Sequence, residues 1–191
     1  MIVGPSGAGK GTLISHLTKK YPGRFGFSVS YTTRPARAGE THGVNYFYVG
    51  QEEFKGKIER DEFIEHCCVH TNSYGTEKAQ IAQFSANGII PLLDIDIQGA
   101  KKVHAAFPDT NFIFICPPSV AALKERMTKR GQDSDAQIAI RVNNAVGEIA
   151  ECIALRKVIQ YRVVNDDLEK ASERFLRVIE GLYAEELGVK H

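Results

Sequence analysis

Apolar positions along this chain fall alternately into short continuous runs and into stretches of three-to-four spacing, a pattern that predicts strands followed by helices. Residues 1–3 (MIV) read as the tail of a first strand, too short to be buried on their own, so a few further residues are expected upstream. A glycine-rich turn at 6–9 leads into 12–20 (TLISHLTKK), where Leu13, Ile14 and Leu17 recur at helical spacing until Pro22 and Gly23 stop the helix. From 25 to 48 the period changes: FGFSVSY and VNYFYV alternate in short runs around the basic stretch RPARAGETHG, which predicts a small antiparallel lobe. Residues 52–60 read as a helix and 63–69 as a strand, and YGT at 74–76 leads into a second amphipathic helix that ends at Asn87-Gly88.

The run IIPLLDIDI at 89–97 is almost continuously apolar, as a strand covered on both faces requires. Pro91 cannot donate to a ladder, which places it among that strand's first residues. Next come a helix (98–107), a strand (112–116), a Pro-Pro turn and a helix (120–130). The polar stretch GQDSDAQ then leads to a long helix ending near Arg156, its start suited to capping by Ser134 with Gln137 three residues on. A strand at 161–164 and a helix from Leu168 follow. Strands alternating with helices imply a parallel sheet with helices on both faces and ligands at the strands' carboxyl ends.

Length and charge narrow the reading. At 191 residues the chain suits one domain with small inserted lobes. Lys and Arg total 24 against 23 Asp and Glu, so no overall basic field favours nucleic acid or anionic lipid, and an anionic ligand must be met by local clusters. No apolar run approaches the roughly 18 residues of a membrane span. The four cysteines include the adjacent Cys67 and Cys68 but no metal-binding spacing and read as reduced thiols. A soluble intracellular protein is expected.

The sharpest chemistry lies in GPSGAGKGT, residues 4–12. Strand, glycine turn and helix starting at Lys10 form the context of a phosphate-binding loop, in which backbone N–H groups converge on phosphate and the lysine reaches its terminal oxygens. Gly11 stands where a Ser or Thr hydroxyl usually touches magnesium. Arg34 and Arg37, three apart on a Pro-containing loop, form a fork for a phosphate or else a solvated basic loop. Glu65 falls on the inward phase of an apolar strand, where a carboxylate is costly unless paired or ligand-bound. Asp94 and Asp96 end the buried run. Arg126 and Arg130 share a helix face, with Arg141 early in the next helix.

Ten ordered blocks, GPSGAGKGT, FGFSVSYTTRPARAGE, GVNYFYV, FIEH, SYGT, LLDIDIQG, IFICPPSV, ERMTKRG, IAIRV and VVNDDLEKA, together resemble guanylate kinase over nearly the whole chain. The resemblance implies the P-loop nucleoside monophosphate kinase fold: a parallel five-stranded core sheet (about 1–24, 89–125 and 157–191), an inserted mixed β lobe that binds GMP (about 25–88) and a small helical lid (about 126–156). It implies ATP as co-substrate with Mg2+, GMP as substrate, and a cytoplasmic monomer without nucleic-acid or membrane partners.

Residue by residue, the resemblance gives the ATP phosphates to Gly4, Pro5, Ser6, Gly7, Ala8, Gly9, Lys10, Gly11 and Thr12, and a place near adenine to Asn165. The GMP phosphate falls to Ser30, Arg34, Arg37, Tyr46 and Tyr74. Glu65 would read the guanine edge, Thr76 would donate to O6 beside Gly75, Asp96 would add to base recognition, and Asp94 would sit near magnesium. Arg126, Arg130 and Arg141, with Lys10 and Arg34, would neutralise charge during transfer. Adenylate kinases also read GKGT, so Gly11 is compatible with phosphoryl transfer. Two departures stand out: Gly11 itself, and Arg162 before VVNDD, where the family is usually apolar or acidic. The alternative function is a non-catalytic, phosphopeptide-binding domain of the same fold, which generally carries a degraded phosphate loop.

Overall fold

The computed structural model describes residues 1–69, 71–131 and 133–189. In chain order it contains β1 (Ile2–Val3), α1 (Lys10–Lys20), β2 (Phe25–Phe27), β3 (Tyr31–Thr32), β4 (Phe47–Tyr48), α2 (Gln51–Glu59), β5 (Phe63–Val69), β6 (Asn72–Glu77) and α3 (Lys78–Ala86). These are followed by β7 (Ile90–Leu92), β8 (Asp94–Ile95), α4 (Ile97–Ala106), β9 (Ile113–Cys116), α5 (Val120–Arg130), α6 (Asp135–Ala154), β10 (Tyr161–Val164), α7 (Leu168–Leu182) and α8 (Ala184–Leu187). The chain divides into two compact units, one of Met1–Arg24, Asp94–Ile97 and Thr110–His191, the other of Phe25–Leu93 and Gln98–Asp109.

The first unit is built on a parallel sheet of order β10-β9-β1-β8. Its apolar strands bury Ile2, Val3, Ile113, Phe114, Ile115 and Val163, as a sheet covered by helices requires. Leu13 and Leu17 of α1 and Phe175 and Ile179 of α7 complete that core. Leu123 and Met127 of α5 pack with Ile138 and Ala145 of α6 in a cluster of their own. The capping box expected at Ser134 is present: its hydroxyl accepts from Gln137 N, while the Gln137 side chain accepts from Ser134 N. In the polar stretch 131–137, Gln132 lies outside the described residues.

The second unit carries a four-stranded sheet of order β4-β3-β6-β5 and the parallel pair β2-β7. The rings of Phe54 of α2 and Phe63 of β5 pack at a tilt with centroids 4.8 Å apart. A Cβ added to Gly75 would meet the Phe63 ring at 3.0 Å, so glycine allows β6 to lie under that pair.

Two expectations change. The 25–48 segment is not a simple antiparallel lobe: β3 pairs antiparallel with β6 but parallel with β4, because the long connection between β3 and β4 lets the chain return in the same direction. Among the described residues the expected five-stranded sheet has four strands, with β2 and β7 as a separate pair. The apolar run 89–97 is interrupted at Leu93, so its first part bonds β2 and its second part bonds β1. No helix among the described residues is long and apolar enough to cross a membrane.

Candidate active site

In the first unit the loop 4–9 leaves the carboxyl end of β1, between β8 and β9 in the sheet. Its course depends on glycine at two points. Gly4 has φ +148° and a Cβ there would lie 2.3 Å from the Ile115 carbonyl oxygen, while Gly9, at φ +94°, would collide with the Asn165 amide at 2.2 Å. Gly9 caps α1, so the helix begins at Lys10 with its N–H groups facing the loop.

Lys10 lies folded onto this loop. Its Nζ donates to the carbonyls of Gly4 at 2.5 Å and Pro5 at 3.3 Å and stands 3.4 Å from Asp94 Oδ1. Burial pushes the Asp94 carboxyl above its usual range, and Lys10 opposes the shift. Glu148 of α6 was not singled out in the sequence: burial raises it, Lys10 opposes this, and Asp96 and Glu151 add to the rise. Its signal was an acid on the half-buried face of a long helix.

The arginines of this unit are held at defined points. Arg126 Nη2 donates to the Asn165 carbonyl at 2.7 Å, and Arg141 bonds both Asp133 and the Ser6 hydroxyl of the loop. Arg130 is exposed at the end of α5. Asn165 is 5% exposed and its Nδ2 donates to the Ala8 carbonyl at 2.8 Å. Gly11 and Thr12 are exposed in the first turn of α1, and nothing lies within 4 Å of where a Gly11 Cβ would be. Arg162 donates to the Cys116 thiol, so this cation on a strand has a local partner.

The second unit gathers the remaining residues in two groups. Glu65 is 5% exposed and opposite Thr76 in the β5–β6 register, next to an irregularity between Phe63 and Glu65 that sets its phase. The Thr76 hydroxyl donates to Glu65 Oε1 at 2.7 Å, and Ser30 Oγ is 3.4 Å from Thr76 Oγ1. In the other group the Arg34 guanidinium lies against the Tyr46 ring, its carbon 5.4 Å from the centroid, and the Tyr46 and Tyr74 rings meet edge to face at 5.9 Å. Arg37 is half-buried and its backbone N–H donates to Glu40. Sequence reasoning missed Glu40, an acid within a basic loop, although its carboxylate also takes both terminal nitrogens of Arg34.

A single carboxylate beside a phosphate loop suits a magnesium ion whose other ligands are phosphate oxygens and water. Asp94, beside the loop and 3.4 Å from Lys10 Nζ, is a carboxylate that would serve as that one protein ligand.

A family model described as guanylate kinase matches residues 1–182. The chain is 42% identical over 171 residues to the guanylate kinase of Carboxydothermus hydrogenoformans, covering 90% of this chain and 81% of the relative. It is 43% identical over 175 residues to that of Geobacter sulfurreducens, covering 92% and 84%. Against guanylate kinase 1 of Arabidopsis thaliana it is 41% identical over 179 residues, 94% of this chain but 46% of the plant protein. The crystal structure of guanylate kinase from Anaplasma phagocytophilum superposes with a TM-score of 0.72 at 31% identity, covering 95% of this chain and 83% of that one.

Proposed function

The chain belongs to the guanylate kinase family, and from that premise we propose which residues carry each part of its reaction. The activity is transfer of the terminal phosphoryl group of ATP to GMP, giving ADP and GDP, on a P-loop nucleoside monophosphate kinase fold. In our reading the first unit is the ATP-binding core with its lid, and the second is the GMP-binding lobe.

The observation that carries guanine recognition is the buried Glu65 carboxylate beside Thr76. Guanine offers N1–H and a 2-amino group to an acceptor at that position; once these pair with Glu65, the single Thr76 hydroxyl hydrogen turns from Glu65 to O6. Adenine offers neither donor and so does not offset the desolvation of the buried carboxylate, which supports discrimination on the order of 10⁴. Asp96 adds to recognition of the base. Ser30, Arg34, Arg37, Tyr46 and Tyr74 hold the GMP phosphate, with Gly75 keeping β6 close to its neighbours.

The loop N–H groups of 4–12 and the start of α1 hold the ATP phosphates, Asn165 lies near adenine, and Lys10 exchanges the Gly4 and Pro5 carbonyls for phosphate oxygens. Arg126, Arg130 and Arg141 neutralise the transferring group. Magnesium, when bound beside Asp94, offsets negative charge on the phosphate oxygens. The attacking GMP phosphate is already an oxyanion, so no general base is required, and the protein's contribution is alignment and charge neutralisation. The intact lysine of the loop supports catalysis over a purely binding role. We assign the protein to the cytoplasm as a monomer; that its four cysteines form no disulfide fits a reducing compartment.

The test is ADP release with ATP and magnesium, offering GMP, AMP, CMP and UMP in parallel. Turnover confined to GMP is expected. Equal turnover with AMP would overturn the role given to Glu65.

A further inference from the structure

The Glu40 carboxylate accepts four hydrogen bonds: from Arg34 Nη1 and Nη2 at 3.0 Å each, from the Arg37 backbone N–H at 2.8 Å, and from the Tyr48 hydroxyl at 2.9 Å. Its own N–H donates to the Arg37 carbonyl at 3.1 Å, closing the turn that joins the two. A guanidinium has five N–H donors in a fixed plane. Glu40 takes the terminal end of that plane and the Pro35 carbonyl takes a further Nη1 hydrogen at 2.8 Å, so these two turn the edge formed by Nε and Nη2 away from themselves; Tyr74 also hydrogen-bonds the group. Tyr46 and Tyr48 flank the group, with the guanidinium carbon 5.4 and 5.8 Å from their ring centroids.

We propose that Glu40 is a positioning residue that fixes Arg34 and the Arg37 backbone for the phosphate of GMP. This rests on the reading of Arg34 as a ligand of that phosphate. A carboxylate in an arginine fork could instead be a stand-in anion that the phosphate must displace. The tethers argue otherwise, because Arg37 N–H, the Tyr48 hydroxyl and the closed turn hold Glu40 independently of Arg34. Despite a penalty from burial, its donors hold the Glu40 carboxyl down to about 2, so the pairing is unaltered across the physiological range.

The test measures binding of GMP and of guanosine, which lacks the phosphate, to the wild-type protein and to Glu40→Gln, Tyr48→Phe, Arg34→Ala and the Glu40→Gln/Arg34→Ala double variant. Glu40→Gln is expected to raise the Kd for GMP about tenfold or more while changing that for guanosine less than about twofold. Tyr48→Phe shifts GMP binding in the same direction by less. In the Arg34→Ala background the Glu40 substitution adds less than about threefold, because its effect runs through that arginine. Unchanged or tighter GMP binding by Glu40→Gln would support a displaced anion and overturn the proposal. Equal loss of GMP and guanosine, or full additivity in the double variant, would overturn it too, as a general structural role. If Arg34→Ala itself leaves GMP binding intact, the phosphate assignment fails, an outcome separable from a failure of Glu40 alone.

Discussion

The side-chain amide of Asn165 donates to the carbonyl of Ala8 at 2.8 Å, tying the residue after β10 to the middle of the phosphate loop. The backbone of Asn165 is equally committed: its N–H donates to Cys116 and its carbonyl accepts from Arg126. One buried residue therefore connects the loop, an arginine and the end of β9. Replacing it with alanine leaves the Ala8 carbonyl without this donor, at a cost of about 1–3 kcal/mol of stability. We expect Asn165→Ala to lower the thermal midpoint and to raise the KM for ATP about tenfold with the KM for GMP within about twofold, since the tether lies wholly in the first unit. Equal changes in both KM values would contradict this.

Lys10→Ala should lose turnover by about 10²–10³, the scale of removing one preorganised charge contact to a transferring group. GMP binding should be largely retained. Calorimetric titration of GMP into the variant, alongside single-turnover kinetics, separates the two, and full turnover would refute the assignment of the phosphate loop.

Glu65→Ala should collapse the preference for GMP over AMP by about 10² or more, because the acceptor that guanine alone can satisfy disappears with the carboxylate. The readout is the ratio of kcat/KM for the two nucleotides. A preserved ratio would mean that the base is read elsewhere.

Gly11→Ser should fold normally, since the added Cβ meets nothing within 4 Å and Gly11 lies in the first turn of α1 without positive φ. Replacing a helical glycine should add a few tenths of a kcal/mol of stability, about the Gly-to-Ser difference in helix propensity. If the new hydroxyl reaches the metal, the magnesium concentration for half-maximal turnover falls, and a magnesium titration of both proteins decides the matter.

Glu40 makes a pH prediction with a definite sign. Its folded pKa, about 2, lies below the usual glutamate value of 4.5, so its stabilisation is complete above about pH 4.5 and is lost as pH falls from there towards 2. The stability difference between wild type and Glu40→Gln should be constant above that window and shrink within it. Denaturant melts at a series of pH values measure it, and a difference independent of pH down to 2 would be the contrary result.

Much of this was legible in the sequence because the chemistry imposes local spacing. The phosphate loop carries its glycines, lysine and helix start within nine consecutive residues, 4–12. Glu65 stood out because a charge on the inward phase of a strand is costly, and the structure buries it opposite Thr76. The capping box at Ser134 was likewise a four-residue pattern. Glu40, Glu148 and Asp133 escaped notice, each an ordinary acid until the fold supplied Arg34, the Lys10–Asp96 surroundings or Arg141 as its neighbour.

The sequence alone thus determined most of the alternation of strands and helices, the glycine-rich loop before α1 and the buried acid at Glu65, since periodicity, turn residues and a misplaced charge are local properties, but not β6 or the break at Leu93. Only the tertiary structure decided that β4 returns parallel to β3, that Asn165 bonds Ala8 across 157 positions of chain, and that Arg141 reaches Ser6. Those pairings depend on the path of the whole chain, and neither residue in such a pair bears a mark of its partner until packing of the core brings them together.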